Sequence, residues 1–148
     1  EKPPGLDEAR ARLGETVRAI MEDISGPDGF ESEEGLSWAF GGFSQGAMLS
    51  MDTSLRSELP PPSVLLQFSG SLICSSEWKK HLSRLSGTKV LQTHGTMDPI
   101  LPFQSARRVE KMLEQAGVDL RFHSFDGPHT IDGEAITLSA NALAVLAG

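Results

Sequence analysis

The 148-residue chain has a single cysteine, Cys74, so no internal disulfide can form. A lone thiol points to a reducing compartment, and a cytoplasmic localisation is expected. Basic residues are outnumbered: 13 Lys and Arg stand against 20 Asp and Glu, for a formal net charge of −7. No basic run occurs, which argues against nucleic acid and anionic membrane as partners. No apolar run approaches the ~20 residues of a membrane span. The opening Glu1-Lys2-Pro3-Pro4-Gly5 is polar and proline-rich, and no signal peptide is expected there. No H-E-x-x-H and no Cys/His cluster is found, so neither a metal nor a cofactor is implied. Hydrophobic residues make up 39%, low but globular, and the length favours one domain.

What the chain does have is Ala39-Phe40-Gly41-Gly42-Phe43-Ser44-Gln45-Gly46-Ala47-Met48. An apolar run ends in glycine, and a helical apolar pattern begins just after the serine. This is G-x-S-x-G between an expected strand and an expected helix, the setting of a nucleophile elbow. So sharp a turn holds Ser44 in a strained conformation with its hydroxyl raised. Side chains at 42 or 46 are expected to collide with the flanking turn, so both are glycine. Ser44 also begins a helix, whose unpaired N–H groups face incoming negative charge. The rival nucleophile, Cys74, lies in Ser71-Leu72-Ile73-Cys74-Ser75 with no turn motif, the setting of an inert thiol.

Taken in order, residues 6–24 predict a helix with Leu6, Leu13, Val17, Ile20, Met21 and Ile24 on one face. Residues 25–29 end it, and the acidic stretch 30–35 reads as a solvated connection. Residues 36–43 predict a strand that is apolar throughout, as for a parallel strand buried on both faces. A helix over 45–59 follows, stopped by Pro60-Pro61-Pro62. Strands are expected at 64–68, 89–94 and 118–125. Helices are expected at 77–85, 103–115 (Val109, Met112 and Leu113 inward) and 132–146. Helix followed by four strand–helix units predicts an α/β fold, a mostly parallel sheet with helices on both faces. Sites in such sheets gather beyond the carboxyl ends of the strands.

Three strand ends carry candidate chemistry: Ser44 after the first, Asp98 after the third and His129 after the fourth. The order Ser, acid, His is that of α/β-hydrolases. Ser44 would attack an acyl carbonyl, His129 would carry the proton, and Asp98 would orient the imidazole. Among rival histidines, His123 reads as a strand-face residue, His81 as part of an exposed helix and His94 as a structural group ending its strand. Asp126 and Asp132 are rival acids, each three residues from His129.

With these motifs in hand, the chain resembles the phospholipase/carboxylesterase family, which includes acyl-protein thioesterases. Gly42-Phe43-Ser44-Gln45-Gly46-Ala47-Met48 is similar to its nucleophile motif and Phe68-Ser69-Gly70 to its Leu-Ser-Gly. His94-Gly95-Thr96-Met97-Asp98-Pro99-Ile100-Leu101-Pro102 resembles its acid loop, and Gly127-Pro128-His129-Thr130-Ile131 its histidine loop. The Ser-to-Asp and Asp-to-His spacings are typical as well. The resemblance runs from about residue 5 to the end. It implies an α/β-hydrolase fold and an oxyanion N–H from Gln45. It also implies earlier strands and a His-Gly-x-Gly-type loop giving a second oxyanion N–H, which this sequence lacks. The chain is therefore expected to be the carboxyl-terminal portion of a larger domain, completed by a further segment or a second polypeptide; a homodimer also stays open. Its first strand would carry an open apolar edge.

Leu72, Met97 and Ile100, with Ile73, Leu101 and Phe103, are expected near an apolar substrate groove. Trp78 reads equally as packing or as substrate contact. The function expected is a serine hydrolase that cleaves small carboxylic esters through an acyl-enzyme on Ser44. Acyl-protein thioesterase and lysophospholipase are its near alternatives. A catalytically silent hydrolase-like binding module is the alternative of another class. Acyltransfer or peptidase chemistry shares the same acyl-enzyme step.

Overall fold

Short apolar runs alternate with amphipathic stretches, and the chain folds as strand and helix in turn. The computed structural model describes residues 2–26 and 37–147; the acidic stretch 30–35 lies outside them. Helix α1 spans Leu6–Ser25, strand β1 Ala39–Phe43, helix α2 Gln45–Arg56 and strand β2 Val64–Phe68. Helix α3, Ser75–His81, continues as a tight 3-10 turn over Leu82–Leu85. Strand β3 is Lys89–Gly95, helix α4 Phe103–Gln115, strand β4 Asp119–Phe125 and helix α5 Gly133–Leu143.

The four strands form one parallel sheet in sequence order, β1-β2-β3-β4. Each connection crosses over through a helix, as parallel pairing requires. One face of the sheet carries the main core: Leu65 and Val90 meet Leu55 of α2, Trp78 of α3 and Val109 and Leu113 of α4. Alternation along β3 sends Leu91 to the other face, where α5 packs with Ala135 and Leu138 buried. Burying one such leucine side chain contributes about 1.5–3 kcal/mol.

Two expectations change here. Strand β1 is not buried on both faces: none of its residues is buried, and Phe43 is 40% exposed. Among the described residues it pairs only with β2, so it is an edge strand. On α1, Leu6 and Met21 are buried, but Ile20 and Ile24 are 53% and 71% exposed. The helix packs against α2 and, through Met21 and Val17, against Leu59 and Trp38.

That contact is anchored by a buried charge. The Asp52 carboxylate on α2 is fully buried and accepts from Arg10 Nη1 at 2.8 Å, Arg56 Nη1 at 3.1 Å and Trp78 Nε1 at 2.8 Å. Trp78 is thus a core residue with a satisfied indole N–H. The Cys74 thiol also points to Asp52, at 3.4 Å. Burial and the neighbouring carboxylate push that thiol up to about 11, so it stays protonated and inert. Asp7 receives Arg10 and Arg56 on their outer sides and pairs with Lys2. Burial alone would raise the Asp52 pKa. Hydrogen bonds from Arg10, Trp78 and Arg56 outweigh it and hold the carboxyl below its ordinary value.

Asp52→Ala removes the buried acceptor of Arg10, Arg56 and Trp78, leaving the two guanidinium groups only the half-exposed Asp7, and is expected to cost about 3 kcal/mol of unfolding free energy, measured by urea denaturation. The folded pKa is lowered, so this contribution is complete above the ordinary carboxylate value of about 3.9 and drains away as the pH falls through the folded value. The melting temperature of the native protein should therefore drop more steeply with acid than that of the variant. Parallel acid limbs would remove this role from Asp52.

Candidate active site

Parallel register sets the site. Phe43, Phe68, Thr93 and His123 stand side by side across the sheet. Ser44 and Ser69 leave the sheet just past this row, while β3 and β4 stay paired for two residues more, His94 with Ser124 and Gly95 with Phe125. Two N–H groups extend this row past the strands: Ser44 N donates to Phe68 O at 2.8 Å and Ser69 N to Thr93 O at 2.9 Å.

Ser44 has φ 57° and ψ −117°, outside the regions an L-residue prefers. The strain expected of the elbow is present. A Cβ on Gly42 would sit 2.3 Å from Gly46 C and 2.4 Å from its carbonyl oxygen, so only glycine fits there. Gly46 differs from expectation: a Cβ there would meet nothing within 4 Å. The crowding is of Gly42 against the Gly46 backbone, not the reverse. Gln45 opens α2, where no earlier helical carbonyl reaches its N–H.

The structure brings Ser44, His129 and Asp98 together. Ser44 Oγ lies 2.8 Å from His129 Nε2, and His129 Nδ1 lies 2.6 Å from Asp98 Oδ2. The Asp98 side chain is fully buried, and its Oδ1 accepts from the N–H groups of Ile100 at 2.8 Å and Leu101 at 2.9 Å. Burial acts to raise the Asp98 pKa. The hydrogen bonds from His129, Leu101 and Ile100 prevail and hold it below the ordinary carboxylate value. Its carboxylate is therefore ionised where it faces the imidazole. The Phe43 ring lies against His129 with centroids 4.7 Å apart.

The loops bearing Asp98 and His129 are pressed together. A Cβ on Gly95 would come within 2.3 Å of both the Gly127 and Pro128 carbonyl oxygens. Met97 N donates to Gly127 O at 3.1 Å, and Thr96 Oγ1 to the rival acid Asp126 at 3.1 Å. Asp132, the other rival, holds His123 Nε2 at 2.9 Å and accepts from Ala135 N at the start of α5. Neither reaches His129 through a hydrogen bond. His94 is structural, as expected: its Nε2 meets Leu101 O at 2.9 Å and lies 3.3 Å from Asp98 Oδ2. His81 closes α3, away from these loops.

Sequence reasoning passed over Ser69 as a site residue. It has φ 51°, is fully buried, and its hydroxyl donates to Thr130 O at 3.2 Å, bracing the residue after His129. Its signals were its place just past a strand end and its position in Phe68-Ser69-Gly70, the stretch similar to the family's Leu-Ser-Gly.

The expected groove residues scatter. Leu72 packs against the main core, and its N–H donates to Ser105 Oγ. Met97 and Ile100 are 65% and 64% exposed. None of the three lines the cavity of about 520 Å³ beside Gln45. That cavity is walled by Leu6, Ala9, Met48, Leu49 and Ile73. Ile73 was among the expected groove residues; the far side comes from helix α1 and not from the acid loop, which local sequence did not reveal. Among the described residues no three His, Cys, Asp or Glu side chains are grouped to hold a metal. No helix among them is long and apolar enough to cross a membrane.

The profile of the phospholipase/carboxylesterase family matches residues 7–146. The chain belongs to that family. Solved structures place its fold among α/β-hydrolases. A phospholipase/carboxylesterase from Dyadobacter fermentans DSM 18053 is 29% identical, with a TM-score of 0.71 over 95% of this chain and 64% of its own. Esterase PE8 is 26% identical, with a TM-score of 0.64 over 93% of this chain and 63% of its own. Zea mays acyl-protein thioesterase 2, at 19% identity, shares the fold with a TM-score of 0.72 over 99% of this chain and 68% of its own. This family member thus spans about two thirds of the length of each. No curated protein sequence matches it.

Gly95→Ala should force the two loops apart. It is expected to cost about 1–3 kcal/mol, read from the urea midpoint. An unchanged midpoint would mean that the loops are not held at this separation.

Proposed function

We propose that this chain carries the nucleophile, base and acid of a serine esterase. The observation that supports the reading most is the unbroken hydrogen-bonded row Ser44–His129–Asp98, drawn from three strand ends. Ser44 Oγ attacks the acyl carbonyl while His129 Nε2 takes its proton. Asp98, ionised and fixed by two backbone N–H groups, holds the Nδ1–H tautomer and stabilises the imidazolium. The developing oxyanion is met by the Gln45 N–H and the amino end of α2. His129 then protonates the leaving group, an ester acyl-enzyme remains on Ser44, and water reverses the sequence to release the acid.

The substrate is a small carboxylic ester, its acyl part seated in the cavity walled by Leu6, Met48, Leu49 and Ile73. Thioester and lysophospholipid substrates differ in the leaving group, and acyl-chain-length and leaving-group profiling separates them. A second oxyanion donor belongs on a strand paired to the open edge of β1, from a further segment or a second polypeptide. Without it the rate falls by about 10²–10³, and the chain then acts as a hydrolase-like binding module.

Intact mass before and after a fluorophosphonate probe decides between these readings. A single adduct is expected, absent from Ser44→Ala. Asp98→Asn should retain slow labelling, with turnover reduced on the order of 10⁴-fold. A native protein that takes no adduct would sink the esterase reading.

A further inference from the structure

His123 and Asp132 were read separately, one as a strand-face residue and the other as a rival acid. The structure joins them. His123 Nε2 lies 2.9 Å from Asp132 Oδ2 and 3.1 Å from Oδ1. His123 stands on β4, before the His129 loop leaves the sheet. Asp132 ends that loop and caps α5, its Oδ1 accepting from Ala135 N at 2.9 Å. The bond therefore ties the strand that enters the loop to the helix that leaves it. Phe125 stacks on the His123 ring with centroids 5.9 Å apart and planes inclined by 22°, which limits ring rotation. The pair is largely sheltered, with side-chain exposures of 19% and 26%. Hydrogen bonds to the ionised carboxylate gain strength in such surroundings.

The loop is held elsewhere too. Thr96 and Met97 grip Asp126 and Gly127 at its start, and Ser69 grips Thr130 near its middle. Past Thr130, the tie that returns the chain to the β4 strand is Asp132 to His123. We propose that His123 is a positioning residue: through Asp132 it closes the loop into a ring and fixes the His129 imidazole between Ser44 and Asp98. The inference rests on the esterase reading for its rate consequences, but the closure itself does not. An imidazole displaced by about 1 Å no longer meets both partners, and such misplacement costs up to about 10²-fold in rate.

The test uses the whole chain with His123→Leu, His123→Gln and Asp132→Asn. Two quantities are read: turnover of a short-chain ester, and the downfield proton NMR signal of His129 Nδ1–H in its short bond to Asp98. His123→Leu should lower kcat about 10- to 100-fold with KM within about twofold. Gln reaches the same carboxylate with a side-chain N–H and should recover most of the loss. Asp132→Asn keeps the cap but weakens the tie, and with His123→Leu the losses should be less than additive. The downfield proton should broaden by exchange in His123→Leu and sharpen again in the Gln variant. A folded His123→Leu with native kcat and a native proton signal overturns the proposal, as does equal loss in the Leu and Gln variants. If His123→Leu does not fold, the Asp132→Asn signal decides: unchanged, it overturns the proposal. If the native protein itself is inactive, the esterase reading falls. The proton signal then judges the closure alone, and an unaltered signal in the variants rejects it.

Discussion

The parallel register of four strands is the constraint on which the site depends. It brings Phe43, Phe68, Thr93 and His123 into one row, at which β1 and β2 end while β3 and β4 run two residues further. Three consequences follow. The chain must turn sharply after β1, because α2 has to run back over the sheet. Ser69 must accept a left-handed backbone to keep the Thr93 carbonyl as its partner. The loops after β3 and β4 emerge as neighbours, and their separation is then set by how closely two backbones can approach. Gly95 permits that approach. The distance between Asp98 and His129 is therefore a property of the sheet before it is a property of either side chain.

Two buried aspartates show how the same chemistry serves two ends. Asp52 is surrounded by the side-chain donors Arg10, Arg56 and Trp78. The work of that cluster is to hold α1, α2 and α3 together. Asp98 is buried to the same degree but takes two of its hydrogen bonds from backbone N–H groups and one from an imidazole. Burial opposes ionisation in both places, and the donors win in both. The difference lies in the donors: side chains of three helices around Asp52, two backbone N–H groups and the His129 ring around Asp98.

Much of this was legible in the chain itself. Strand β2 and helix α4 have the bounds that the apolar runs and their terminators predict. The three strand-end residues carry turn chemistry on either side, which local sequence records. What local sequence does not record is pairing at a distance. Arg10 finds Asp52 across 42 positions, and the pattern around neither residue announces the other. Of the groove beside Gln45, Ile73 was anticipated and the far wall escaped for the same reason, since it comes from α1. Ile20 and Ile24 share the periodicity of a buried face yet stand in solvent, because periodicity gives a direction and not the width of the contact. Gly46 was misread through its motif: the tight contact belongs to Gly42 alone.

Strain gives these observations a common direction. Ser44 and Ser69 are the non-glycine residues with positive φ among those described, and both follow directly on strand ends at the site. Each such conformation costs on the order of 1–3 kcal/mol and persists only where its surroundings over-determine it. For Ser44 those surroundings are the bond to Phe68 O and the packing of Gly42 on Gly46. For Ser69 they are Thr93 O on one side and Thr130 O on the other. The second of these is the informative one. A strained residue that braces the histidine loop couples the stability of the sheet to the position of the imidazole. Relieving the strain at Ser69 would stabilise the turn and loosen the loop together, so stability and reactivity pull against each other at that residue.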